Sequence, residues 1–293
     1  MFSASLLSLL VLALSTFAAT HEALAKDADQ SETSTIDPFA INLMRKSARF
    51  LADSPVLSFN WFVSYDEVID DKQKLTFMRS GWNVLVRDKG FFSRVEGESG
   101  VREYYYDGRQ FTVSAPGENF YAVEDFDKGF EALIDAVREA TNTEIPLHAL
   151  MSRDLPERIE DGLRSAMYLG ITYISGSEVH HLAFSDAEED WQVWISTDEK
   201  APLPLVIAGT ETQKTGWPQY RAYLTDWDLN AEIDPARFSF KPDEDDLKIS
   251  FPELKSKTAT EGKTEEGAPA KTMPAEPSDG SASRAEEKSG SEK

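Results

Sequence analysis

Cysteine is absent from all 293 residues. That excludes disulfide staples, thiolate metal sites, a cysteine nucleophile and lipid attachment through an N-terminal cysteine. The fold must rest on burial alone. No Gly-x-Ser-x-Gly elbow, phosphate-cradling glycine loop or dinucleotide fingerprint occurs, so neither cofactor nor metal is expected and the chain is not expected to be an enzyme. Basic residues are also in short supply, 30 Lys and Arg against 52 Asp and Glu, for a net charge of -22. The stretches before 37 and after 251 carry -5 between them, which leaves -17 on 37–251. Such a surface repels phosphate backbones and anionic headgroups, which excludes nucleic acid as a partner and leaves cationic ones open.

Long hydrophobic runs are missing as well. Leu6 to Ala19 is an apolar stretch of about 14 residues, short of the ~20 a membrane helix needs. Ala23-Leu24-Ala25 supplies a small-x-small cleavage pattern. Residues 1–25 therefore read as a signal peptide cleaved after Ala25, although no Lys or Arg precedes the run, and the mature chain is expected to keep no stable membrane insertion. Residues 26–36 form a polar leader. Beyond Pro252 large apolar residues nearly vanish, and 252–293 is expected to be a disordered tail, because it buries too little to offset its chain entropy. One folded unit, 37–251, remains.

Within that unit hydrophobic periodicity changes twice. Asp37-Pro38 is an N-cap followed by a proline at the first helical position, and Ile41, Met44, Ala48 and Leu51 make one stripe of a helix ending at Asp53. From Val56 the period is two: Leu57, Phe59, Trp61, Val63 and Tyr65 share a face. Short strands follow around Leu75–Met78, Trp82–Val86, Phe91–Val95, Val101–Tyr106, Gln110–Val113 and Phe120–Val123, with Asp107-Gly108 as a hairpin signal. Asp127–Thr141 returns to helix, and a shorter one is expected at Pro156–Leu163. Strands resume at Ala166–Leu169 and Thr172–Ile174, continue through His180–Phe184, Asp190–Ile195, Pro202–Ile207 and Tyr220–Leu224, and finish at Phe238-Ser239-Phe240. The helices have only the sheet to bury their stripes against.

Three groups of residues invite a chemical reading. His180 and His181 are adjacent on a strand, so they point to opposite faces and cannot ligate one ion. Asp186, Glu188, Glu189 and Asp190 lack the spacing of a calcium loop and read as a solvated turn. The aromatic content is more informative. Trp61, Phe77, Trp82, Phe111, Leu182, Trp191 and Tyr220 fall on the apolar parity of their strands and are expected to share the inner face. A sheet of about a dozen strands offers more apolar area than two or three short helices can cover, and the surplus implies a cavity lined by these seven residues, a partner site or a ligand groove.

Asp37-Pro38, Tyr105-Tyr106-Asp107-Gly108, Val179-His180-His181-Leu182-Ala183-Phe184, Asp190-Trp191-Gln192-Val193-Trp194-Ile195, Pro202-Leu203-Pro204 and Asp226-Trp227 with Phe238 and Phe240 together resemble a bacterial family of predicted periplasmic proteins of unknown function. The likeness covers about residues 36–250. That family is similar in turn to the lipoprotein-carrier superfamily that includes LolA and LolB. The resemblance implies a mainly antiparallel β fold with α: a half-open β-barrel of about eleven strands wrapped around two or three helices, in the periplasm. It also implies a non-enzymatic protein that binds a lipid, lipoprotein acyl chain or other apolar ligand in the concave face. The alternative is an envelope protein-interaction or sensor module with a self-filled cavity; a periplasmic hydrolase ranks last.

Overall fold

The computed structural model describes residues 36–142 and 145–255. The expected signal, nearly all of the leader and most of the expected tail lie outside them. Asp37 caps helix α1 (Pro38–Asp53) as its sequence requires, its carboxylate accepting from the Phe39 N–H at 2.8 Å. One stripe of α1, Ala40, Ile41, Met44, Ala48 and Leu51, is buried.

Period-two patterning then builds a six-strand meander: β1 (Val56–Ile69), β2 (Gln73–Val86), β3 (Gly90–Gly97), β4 (Gly100–Tyr106), β5 (Gln110–Ala115) and β6 (Phe120–Asp125). Two expected strands, Leu75–Met78 and Trp82–Val86, are one continuous strand, β2. Three helices follow: α2 (Phe130–Thr141), and single turns α3 (His148–Met151) and α4 (Leu155–Arg158). The expected helix at Pro156–Leu163 is thus shorter and shifted, and α3 is a single turn too short to show a period in the sequence. A second meander of β7 (Ser165–Ile174), β8 (Ser177–Ser185), β9 (Glu189–Ser196), β10 (Pro204–Glu211) and β11 (Gln219–Asp228) completes the main sheet.

β11 returns to pair with β1, which joins the two meanders into one sheet. A twelfth strand, β12 (Leu247–Lys248), pairs parallel with β6, and the spatial order is β12-β6-β5-β4-β3-β2-β1-β11-β10-β9-β8-β7. The sheet is almost wholly antiparallel and does not close into a barrel, since β7 and β12 end it on opposite sides. The helices cover one face, here called inner. α2 and its neighbours pack on β1–β5 through Leu133, Ile134 and Val137, and α1 packs on β7–β9 through Ile41, Met44 and Ala48.

The last segment crosses both faces. Phe238-Ser239-Phe240 is not a strand: Asp234 caps a 3-10 turn, Pro235–Phe238. Phe238 packs with Val84 and Phe92 on the outer face, and Phe240 lies against Tyr105 and Tyr121. After β12 the chain reaches the inner side, where Phe251 meets Phe111 and Leu254 is buried in the core. Packed chain therefore continues past Pro252 as far as the described residues go.

Candidate functional site

Register decides which of the seven expected residues share a face. Trp61 pairs with Gly81, Phe59 with Asn83 and Tyr65 with Phe77, so Phe77, Gly81 and Asn83 are on the inner face of β2. Trp82 pairs with Asn60 and is on the outer face, five positions from Phe77 along an unbroken strand. There its indole donates to Ser58 Oγ at 3.2 Å and packs beneath Arg237 of the C-terminal segment. The expectation that it faces inward fails because Gln73–Val86 is one strand, so the parity set at Phe77 carries through Gly81 and turns Trp82 outward.

Trp61, Phe111 and Leu182 do face inward, but as core. Trp61 is 3% exposed; its ring lies over Gly81, where a Cβ would collide with the indole and with the Arg94 carbonyl. Asn83, fully buried beside it, accepts from Trp61 Nε1 at 3.1 Å and Ser93 Oγ at 2.7 Å, and donates to the Pro146 carbonyl at 2.9 Å. Arg87 fixes the helices in a similar way. Its guanidinium donates to the carbonyls of Leu51 and Ser54 at 2.9 Å each and of Met151 at 3.0 Å, which ties the ends of α1 and α3 to β2. Burial lowers its pKa from the ordinary arginine value.

Phe77, Tyr220 and Trp191 are the three that remain half-buried, and they belong to one line. Tyr65 pairs with Phe77 on one side and Tyr220 on the other; Tyr220 pairs with Gly209, Gly209 with Trp191 and Trp191 with Phe184. The inner face thus carries a row of rings across six strands, interrupted only at Gly209. Tyr65 stacks on Phe77 with centroids 5.7 Å apart, and Trp191 on Phe184 at 4.0 Å. The Arg79 guanidinium lies 4.8 Å over the Tyr65 ring, and burial, opposed by Arg79, raises the phenol pKa. In the Gly209 gap sits the Glu189 carboxyl, where a Cβ on residue 209 would strike it. Burial, with Asp186, Glu211 and Asp190 adding to it, raises the Glu189 pKa. The sequence marks this arrangement weakly; Tyr65 and Gly209 are visible in it only once the register is known.

Space beside the row is small. Between α1 and β9–β10, Met44, Ala48, Leu51, Trp191, Val193 and Ile207 surround a gap of ≈ 30 Å³ with almost no polar wall. A roomier cleft of ≈ 260 Å³ opens at the other end of the helices, by Arg87, Lys89, Asp127 and Arg153. Within its wall Arg153 pairs with Asp88 at 3.1 Å and Arg87 with Glu131 at 3.9 Å. This leaves a wall of balanced charge.

The histidines point apart. His180 is on the inner face, its Nδ1 3.1 Å from the Tyr168 hydroxyl, and His181 on the outer face is 2.9 Å from Gln192 and stacked on Trp194. His148 is occupied locally with the Ile145 carbonyl. Asp186 accepts from the Glu188 and Glu189 N–H groups and so closes the β8–β9 turn. Among the described residues no three histidine or carboxylate side chains gather as a metal site, and no helix is long and apolar enough to cross a membrane.

The sequence matches no curated protein. Solved structures give distant similarities. LprF from Mycobacterium bovis is similar over 68% of this chain and 98% of its own, at 10% identity and a TM-score of 0.41. The Mycobacterium tuberculosis lipoprotein LppX is similar over 68% and 100%, at 11% identity and a TM-score of 0.37. A LolA superfamily protein from Nitrosomonas europaea is similar over 69% and 97%, at 10% identity and a TM-score of 0.32. The family model described as "Predicted periplasmic protein (DUF2092)" matches residues 40–252, and that match, spanning most of the chain, means that it belongs to this family of periplasmic proteins.

Proposed function

We propose that the protein binds an apolar molecule, a lipid or acyl chain, along the aromatic row of the inner face, and does so without catalysis. The observation that carries this is the line Phe77, Tyr65, Tyr220, which is half-buried and continues past Gly209 to Trp191 in the wall of an apolar gap. Each methylene laid on such rings is worth about 0.8 kcal/mol, so a chain of ~14 carbons offers roughly 10 kcal/mol before binding costs. Surface ion pairs offer at most about 1 kcal/mol each. The gap of ≈ 30 Å³ is far below the ~300 Å³ of a common ligand pocket, so the ligand must lie along the row and displace α1 to enter further.

A second reading has its own support: the helices already fill most of the inner face. On it the protein is an interaction or sensor module of the envelope whose hydrophobic face serves stability alone. Lipid extraction and mass spectrometry of protein purified from its native host, with titration by a fluorescent fatty acid, separates the two. Bound lipid and saturable uptake support the first; protein that emerges empty and takes up no probe leaves the second.

A further inference from the structure

We propose that strand β7 is a contact between two copies of this chain, which pair antiparallel, edge to edge, about a two-fold axis. This stands apart from the ligand reading. β7 ends the sheet. Among the described residues its free backbone edge pairs only with Ile36, bridged to Ala166, with the Asp37 N–H donating to the Ala166 carbonyl at 2.9 Å, while Phe39 of α1 packs on the Tyr168 ring. Past that bridge Met167, Leu169, Ile171 and Tyr173 are 44%, 52%, 55% and 67% exposed. From Ser165 to Ser177 there is neither charge nor proline, in a chain of 28% charged residues.

Edge strands left to water are commonly protected by charge, proline or brevity, because their unpaired backbone groups accept another strand. β12, at the opposite end of the sheet, shows such protection: it is two residues long and follows Asp243-Glu244-Asp245-Asp246. β7 has ten residues, and the one protective feature it carries is a register shift at Leu169, between Tyr168 and Gly170.

Charge selects the occupant. At -22, two copies repel through most of their surfaces, and this uncharged edge lets them meet without opposing carboxylates. The ends of the strand differ in sign. Arg164 precedes it, while Glu178, which accepts from the Tyr173 hydroxyl at 3.0 Å, flanks its far end. A two-fold at Ile171 directs Arg164 toward the end that carries the partner subunit's Glu178 and sets Leu169 opposite the partner subunit's Tyr173. Four exposed apolar side chains on one strand make a smaller contact than the ~800 Å² per partner of a standard interface, the size class of weak, transient pairing.

Sedimentation velocity of the full chain from about 1 to 300 µM tests this. The dimer fraction should rise with concentration and rise further with salt, which screens the repulsion. Ile171→Lys should raise the midpoint at least ~10-fold. Met78→Lys, equally exposed but on β2 with five strands between, should leave it unchanged. Because the chain has no cysteine, Ile171→Cys places a lone thiol at the axis and should give a disulfide-linked dimer on oxidation, whereas Met78→Cys should not. A monomer under every condition, equal shifts from both lysine variants, or equal cross-linking from both cysteine variants overturns the proposal.

Discussion

Trp61 and Asn83 form a buried polar pair in the middle of the hydrophobic inner face, the indole N–H donating to Oδ1 at 3.1 Å with Ser93 sharing the same acceptor. Replacing Asn83 by Leu removes the acceptor of two buried donors and the donor to Pro146, and should cost about 2–4 kcal/mol in urea unfolding with an unchanged m-value. Trp61→Asp should not fold, since it places a carboxylate in a site that is 3% exposed. A cavity-lining residue would tolerate both changes far better.

Opposite faces of β2 give the cleanest test of where a ligand lies. Phe77→Ser and Tyr220→Ser each remove a half-buried ring of the row. Each should weaken fatty-acid uptake by folded protein about 5- to 30-fold, the equivalent of ~1–2 kcal/mol of lost apolar contact. Trp82→Ser should leave uptake unchanged and lower stability, because its ring packs on Phe92 and under Arg237 on the other side of the sheet. Fluorescence titration of the three variants against the parent reads this directly.

Periodicity made most of this architecture legible. Alternation along Leu57–Tyr65 is strict enough to name the inner face of β1, and Asp37-Pro38 marks the start of α1 to the residue. What alternation could not supply is continuity between strands. Arg79-Ser80-Gly81 looks like a break, yet Gly81 lies within β2 because the Trp61 ring occupies the place of its side chain. Losing that link reversed Trp82. The C-terminal segment was obscured for a related reason: Phe238, Phe240, Phe251 and Leu254 are too sparse to show a period, and each packs on a different part of the sheet. Tyr65 and Tyr220 are neighbours only through β1–β11 pairing, a contact between residues 155 positions apart in sequence that no local pattern encodes.

Arg87 should be the most sensitive charged residue for stability. Its three donors reach carbonyls at the ends of α1 and α3, of which Leu51 also accepts from the Ser54 N–H. Arg87→Met keeps the aliphatic volume and leaves the Ser54 and Met151 carbonyls unmet. A loss of about 2–4 kcal/mol is expected, with earlier proteolysis near α3 than in the parent. Arg153→Met, whose partners Asp88 and Glu131 are solvated, should cost less than about 1 kcal/mol.

Glu189 predicts how stability varies with pH. Its carboxyl is pushed above its ordinary value near 4.5 by burial against Gly209, with Asp186, Glu211 and Asp190 acting in the same direction. A raised carboxyl pKa means the folded state holds its proton more tightly than the unfolded chain does. That contribution is fully present below the unfolded pKa and is lost as pH rises through the folded one. Glu189→Gln, which cannot ionise, should therefore match the parent near pH 4 and exceed it at pH 7, by about 2 °C in Tm given the partial solvent screening. Asp190→Asn, which removes one of the three carboxylates acting on Glu189, should show the same divergence in smaller measure. If Glu189→Gln gains nothing over the parent between pH 4 and 7, the Glu189 carboxyl does not occupy the Gly209 gap, and the aromatic row is open at that point.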